Sequence, residues 1–184
     1  MTRRGDHTGG AGTDPAATAP LDGALAEAVR RTGASGGAVY LWERTGRRGL
    51  GPAVLCAIPV EVARPWQRIP VDGHTPVADA VREDRLVWVG SQEDLAHAYP
   101  RVAVPLPYRF SLAAAPLPGR GGPRGAVLLL WPARHPADAT RRELDHITAE
   151  AHRLARILDG AGAEAMAVVP EQPRVVPAAP LRPY

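Results

Sequence analysis

The chain contains no lysine and no asparagine; all 22 basic residues are arginine. Without lysine there is no phosphate-loop lysine and no Schiff-base chemistry. A single cysteine, Cys56, excludes an internal disulfide and leaves too few thiols for an iron–sulfur cluster or a structural zinc site. No apolar run approaches the roughly 18 residues of a membrane-spanning helix. Arg3 and Arg4 are followed by Gly, Asp, His and Thr, so no secretory or twin-arginine signal is read at the N-terminus. The expected location is cytoplasmic, with no membrane partner.

What remains suits one folded domain with tails. The chain has 184 residues and is 45% hydrophobic, enough for a core. Its pI is near 9.6, yet the net charge is only +3. The arginines are scattered among 19 acidic residues and no helix carries a basic stripe, so nucleic acid is not an expected partner.

Residues 1–20 are rich in Gly, Ala, Thr, Pro and charge, and are expected to be a disordered tail. Residues 160–184 read as a Pro-rich linker or tail, and a linker in that place suggests that the natural protein continues. The folded region is 21–159. Helix is expected over 21–33, with Asp22 as cap, Leu21, Leu25, Ala28 and Val29 on one face, and Gly33 as stop. Strands follow at 37–43 and 52–58, then a bent connector and an edge strand at 66–71, where Pro70 lacks a donor. Thr75 caps a short helix with Pro76 at its first position. A fourth strand spans 85–91, and a helix capped by Ser91 and Asp94 ends at Pro100. The last two strands, 109–118 and 125–133, precede a helix that Thr140 and Glu143 open as a capping box.

Alternate residues of the last strand are apolar on both faces: Ala126, Leu128 and Leu130 on one, Val127, Leu129 and Trp131 on the other. A sheet with a wet face alternates apolar and polar, so this one must be covered twice. The terminal helices on one face and the short middle helices on the other give three layers.

The run WQRIPVDGHTPVADAVREDRLVWVGS, residues 66–91, resembles the middle of a GAF domain. It is most similar to GAF-like modules of actinobacterial regulators that precede metal-dependent serine/threonine phosphatase domains. The likeness covers roughly 21–159. It implies an α+β fold, a GAF-like three-layer α/β/α arrangement around a central six-stranded antiparallel sheet. Terminal helices would pack on one face, with a ligand pocket on the other. PAS domains share much of this layout; the long N-terminal helix, the hairpin and the final helix favour GAF. The Asn-Lys-Phe-Asp-Glu signature of cyclic-nucleotide-binding GAF domains cannot be spelled without lysine and asparagine.

In such a fold Trp66, His74, Trp88, Tyr99, Tyr108 and Phe110 fall in the region that builds the pocket wall, and they are the candidate ligand-binding residues. Trp42 and Trp131 read as sheet core. His74 could also meet a ligand or haem iron, or be an exposed turn residue; His97 is equally ambiguous. Cys56, flanked by apolar strand residues, reads as a buried hydrophobe rather than a bilin anchor. His146 and Glu150 are placed to pair on a solvated helix face. Asp72, Asp79, Asp84 and Asp94 lie in turns and helices and form no phosphatase metal motif. Leu144, Ile147, Ala151, Leu154 and Leu158 keep heptad spacing, which predicts a homodimer seam beyond their share of the sheet covering.

The expected function is a non-catalytic regulatory module without a resident cofactor. It would sense a small molecule, or relay a signal, to a linked effector such as a protein phosphatase. The alternative is a ligand-free dimerisation or protein-docking domain with a filled pocket. A small enzyme using His74 and nearby carboxylates ranks below both.

Overall fold

The computed structural model describes residues 20–43, 48–104, 109–132, 135–160 and 173–177 in full, and 15–19 as backbone. In chain order the elements are α1 (Pro15–Thr32), β1 (Gly36–Trp42), β2 (Gly49–Cys56), α2 (Val60–Ala63), β3 (Ile69–Pro70), α3 (Pro76–Glu83), β4 (Val87–Val89), α4 (Gln92–Ala98), α5 (Pro100–Ala103), β5 (Phe110–Leu117), β6 (Gly125–Pro132), α6 (Arg141–Gly160) and β7 (Arg174–Val176). A 3-10 turn at Arg64–Trp66 follows α2.

The sheet runs β3-β2-β1-β6-β5-β4, and each neighbour along it is antiparallel. The central register sets Leu112 against Leu130 and Ala115 against Val127. Side-chain alternation then sends Val127, Leu129 and Trp131 into one core and packs Ala126, Leu128 and Leu130 with the other, as the sequence predicts. The first core lies under α1 and α6. The second lies under α3, α4 and α5, through Val77, Ala80, Val81, Leu95 and Val102. The α/β/α layering and the six-stranded antiparallel sheet follow.

Local chemistry sets the element ends. The Thr75 hydroxyl accepts from the Ala78 amide at 3.1 Å and opens α3, with Pro76 at its start. The Ser91 hydroxyl accepts from the Asp94 amide at 3.1 Å and opens α4. At α6 the box is reciprocal: the Glu143 amide donates to Thr140 Oγ1 at 3.2 Å, and the Thr140 amide donates to the Glu143 carboxylate at 2.7 Å. Gly33, at φ 68, closes α1 in a conformation that glycine adopts without strain. Where β6 starts beside β1, a Cβ on Gly125 would stand 2.0 Å from the Tyr40 carbonyl oxygen, so only glycine permits that approach.

Several expectations are corrected. α1 begins at Pro15, inside the segment expected to be a disordered tail, so Asp22 is not its cap. Asp22 instead binds Arg174, whose Nη2 lies 2.8 Å from Oδ1. The third strand keeps only Ile69–Pro70, because the Arg64–Trp66 turn takes up Trp66. Pro100 starts α5 as well as ending α4. The supposed linker contributes a seventh strand: β7 pairs in parallel with Val54, Leu55 and Cys56 of β2, and the Ala57 amide donates to the Val176 carbonyl at 3.0 Å.

The heptad stripe is also corrected. Ile147, Ala151, Leu154 and Leu158 are at most 1% exposed inside one subunit, packed in the core that also holds Leu21, Leu25 and Ala28. Leu144 is half-buried. The spacing of three and four therefore fits one face of α6 to its own sheet and to α1, which leaves those four side chains unable to form a seam between copies.

Candidate functional site

The short helices do not close over the sheet. Leu128 and Leu130 lie on β6, between β1 and β5, yet both keep partial exposure. Their surface forms part of the floor of a cavity of about 440 Å³, together with Tyr40, Leu55 and Leu112. Val62, Ala63 and Trp66 supply one wall. The start of α3, with Thr75, Pro76 and Val77, supplies another, and Val102 of α5 a third. Arg109 and Phe110 stand where the chain enters β5. The volume lies within the roughly 300–1,000 Å³ of small-molecule sites.

The lining is apolar with few polar tips. Tyr40 is 2% exposed, and its hydroxyl makes no hydrogen bond among the described residues. Burial pushes its phenol well above the usual tyrosine range. The Thr75 hydroxyl is engaged by the helix cap. Arg109 is exposed and is the sole charged side chain among the described lining residues. It makes no ion pair or hydrogen bond with the described residues. No carboxylate lines the described cavity.

The six candidate ligand-binding residues do not converge. Trp66 and Phe110 line the cavity, both half-buried. Tyr99 and His74 lie outside the described lining and pack against each other, with ring centroids 4.9 Å apart. Tyr99 donates to the buried Asp79 at 2.9 Å, and the His74 Nδ1 stands 3.7 Å from the same carboxylate oxygen. Trp88 belongs to the terminal-helix side: Val87 and Val89 enter the second core, while Trp88 packs against the first. There it meets Trp131 and His135, with ring centroids 5.3 and 5.4 Å away. Tyr108 lies outside the described residues. Tyr40, Arg109, Leu128 and Leu130 were not singled out from the sequence. Strand alternation puts Tyr40 and Leu128 on opposite-parity positions to Val39 and Leu129, but only the register shows which face is left open.

Other reactive groups lie elsewhere. Cys56 is fully buried in the terminal-helix core, and burial pushes its thiol up. His97 is exposed on α4. Glu150 is buried, not solvated; it accepts from Arg153 Nε at 2.6 Å and pairs with Arg31 at 3.4 Å. His146 Nε2 instead lies 3.1 Å from the Arg31 carbonyl oxygen. Among the described residues no group of three His, Cys, Asp or Glu side chains is placed to hold a metal ion. Among the same residues no helix is long and apolar enough to cross a membrane.

No protein-family model matches the sequence, and no characterised protein matches it in a sequence comparison. Solved structures do match the fold. The GAF-B domain of DevS from Mycobacterium smegmatis superposes with a TM-score of 0.60 at 20% identity, over 82% of this chain and 97% of that one. A GAF domain/HD domain protein from Geobacter sulfurreducens gives 0.60 at 15% identity, over 80% and 97%. The free methionine-R-sulfoxide reductase from Neisseria meningitidis, solved in complex with its substrate, gives 0.62 at 19% identity, over 80% and 81%. The fold is thus the one that these GAF domains and this reductase share.

Proposed function

We propose that this chain is a regulatory GAF-like module that senses a small molecule in the cavity beneath α2, α3 and α5 and relays its occupancy to a linked effector. The observation that carries this reading is the open floor. Leu128 and Leu130 keep apolar surface exposed at the middle of a sheet, where a docking domain would fill the space with side chains. Burying such surface contributes about 25 cal/mol per Å², so a small ligand can bind at micromolar strength.

The module itself is read as non-catalytic. Proteins of this fold include a methionine-R-sulfoxide reductase, but the described cavity lining here holds no cysteine, histidine or carboxylate. The similarity of residues 66–91 to modules preceding metal-dependent phosphatases makes such an effector, in an actinobacterial cytoplasm, the one to look for. A homodimer remains part of the reading, with its contact on surfaces other than the buried stripe of α6.

A fragment screen read by melting shift and by Trp66 fluorescence tests the ligand site. Several apolar fragments should raise the melting temperature, and Leu128→Phe, which fills the floor, should abolish the shifts. A screen with no hits, or hits indifferent to Leu128→Phe, would transfer the weight to a ligand-free docking domain.

A further inference from the structure

We infer that the ligand class of this cavity is a small apolar acid, bound with its ring system on the sheet floor and its anionic group at Arg109. This rests on the reading above that the cavity takes a ligand, and goes further by fixing the ligand's charge. Arg109 is the sole charged side chain of the described lining, with no partner among the described residues and no carboxylate on the lining to oppose it.

The second observation is independent of charge. Tyr40 lies on the floor, nine-tenths or more buried, with a hydroxyl that no described residue satisfies. A ligand oxygen or nitrogen that meets this hydroxyl gives it a hydrogen bond that no described residue supplies. The rest of the floor, Leu55, Leu112, Leu128 and Leu130, offers nothing polar. An apolar body with a polar edge and one acidic end matches these three features. A cation finds no counter-charge, and a strongly polar sugar-like ligand finds too few partners.

Calorimetric titration of the full chain with naphthoate and with its neutral amide, naphthamide, tests this. The acid should bind about tenfold or more tightly than the amide. Arg109→Gln, at an exposed position that leaves the core intact, should bring the acid down to the level of the amide. Tyr40→Phe should weaken both probes alike while the protein still melts cooperatively. Equal binding of acid and amide to the unaltered chain would overturn the charge assignment and leave the sensing reading standing. No binding of naphthoate would overturn the ligand class; if the fragment screen were also empty, the sensing reading would fall with it.

Discussion

The Tyr99 hydroxyl donates to the carboxylate of Asp79 at 2.9 Å, and both residues are buried between α3 and α4. Arg82 also donates to Asp79, one turn along α3. The carboxylate therefore ties α3, a cavity wall, to the α4–α5 corner. A hydrogen bond to a charged group contributes about 1.5–3 kcal/mol, and removing the charged partner strands the other. Asp79→Ala should cost about 3 kcal/mol and Tyr99→Phe about 1.5 kcal/mol. The double variant should cost less than the two together, since they share one bond. Urea midpoints with unchanged slopes measure all three. Strict additivity would show that the contact contributes nothing.

The same tyrosine, with Tyr40, makes stability sensitive to alkali. Both phenols are pushed up mainly by burial, and Asp79 adds to the effect at Tyr99. An unfolded tyrosine titrates near pH 10. Because the folded pKa is the higher one, the folded chain holds protons that the unfolded chain has lost. Stability should be flat with respect to these groups below about pH 10 and fall as pH rises above it. Denaturation at about pH 8 and about pH 11 measures the fall. Tyr40→Phe combined with Tyr99→Phe should lessen it, and an unaltered fall would place its source elsewhere.

What the sequence discloses is what local chemistry decides. Thr75 with Pro76, and Thr140 with Glu143, announce their helices because the capping bonds span three residues or fewer. The double apolar parity of β6 announces the two cores for the same reason. The cavity is less legible. Val87, Trp88 and Val89 show that the tryptophan opposes its neighbours, but not which face holds the opening. Tyr40 looks like any strand aromatic until the register and the reach of the short helices leave its hydroxyl alone. The fate of Leu154 is ambiguous in a similar way, since an internal stripe and a dimer seam have the same spacing.

That ambiguity gives a prediction. Leu154 is fully buried within the subunit. Leu154→Ala should cost about 3 kcal/mol, the range of leucine truncations in packed cores. Light scattering on the folded variant should give the same mass as the parent chain. A variant that kept full stability but lost a dimer would restore the stripe to an intersubunit role.

The capping box of α6 is testable without touching either core. Thr140→Ala removes the hydroxyl that the Glu143 amide uses and should cost about 1 kcal/mol. The Thr140 amide, the hydroxyl beside it and then His135 also hold the Glu143 carboxyl below the usual range. Its folded pKa is the lower one, so that contribution is present above the unfolded value and is lost as pH falls through the folded one. Glu143→Gln should therefore reduce the acid dependence as well as the stability. Melting curves between about pH 2 and about pH 6 separate the two effects.

The last prediction concerns the strand that composition concealed. β7 lies in parallel along β2, and Arg174 reaches from it to Asp22 on α1. Three residues of pairing are too few to persist alone, since short isolated pairings are marginal in water. The ion pair adds an anchor at its first residue, with side chains 22% and 29% exposed, so solvent screens it in part. Asp22→Ala should cost only about 0.5–1 kcal/mol globally. Its local effect should be larger. The Ala57 amide, which donates to Val176, should exchange its proton several-fold faster once β7 detaches, while the amides of β1 and β6 keep their protection. Hydrogen exchange followed by mass spectrometry or NMR reads this directly. Uniform acceleration across the sheet would mean that β7 unfolds only with the whole domain, and an unchanged Ala57 would mean that the Asp22–Arg174 pair does not hold it.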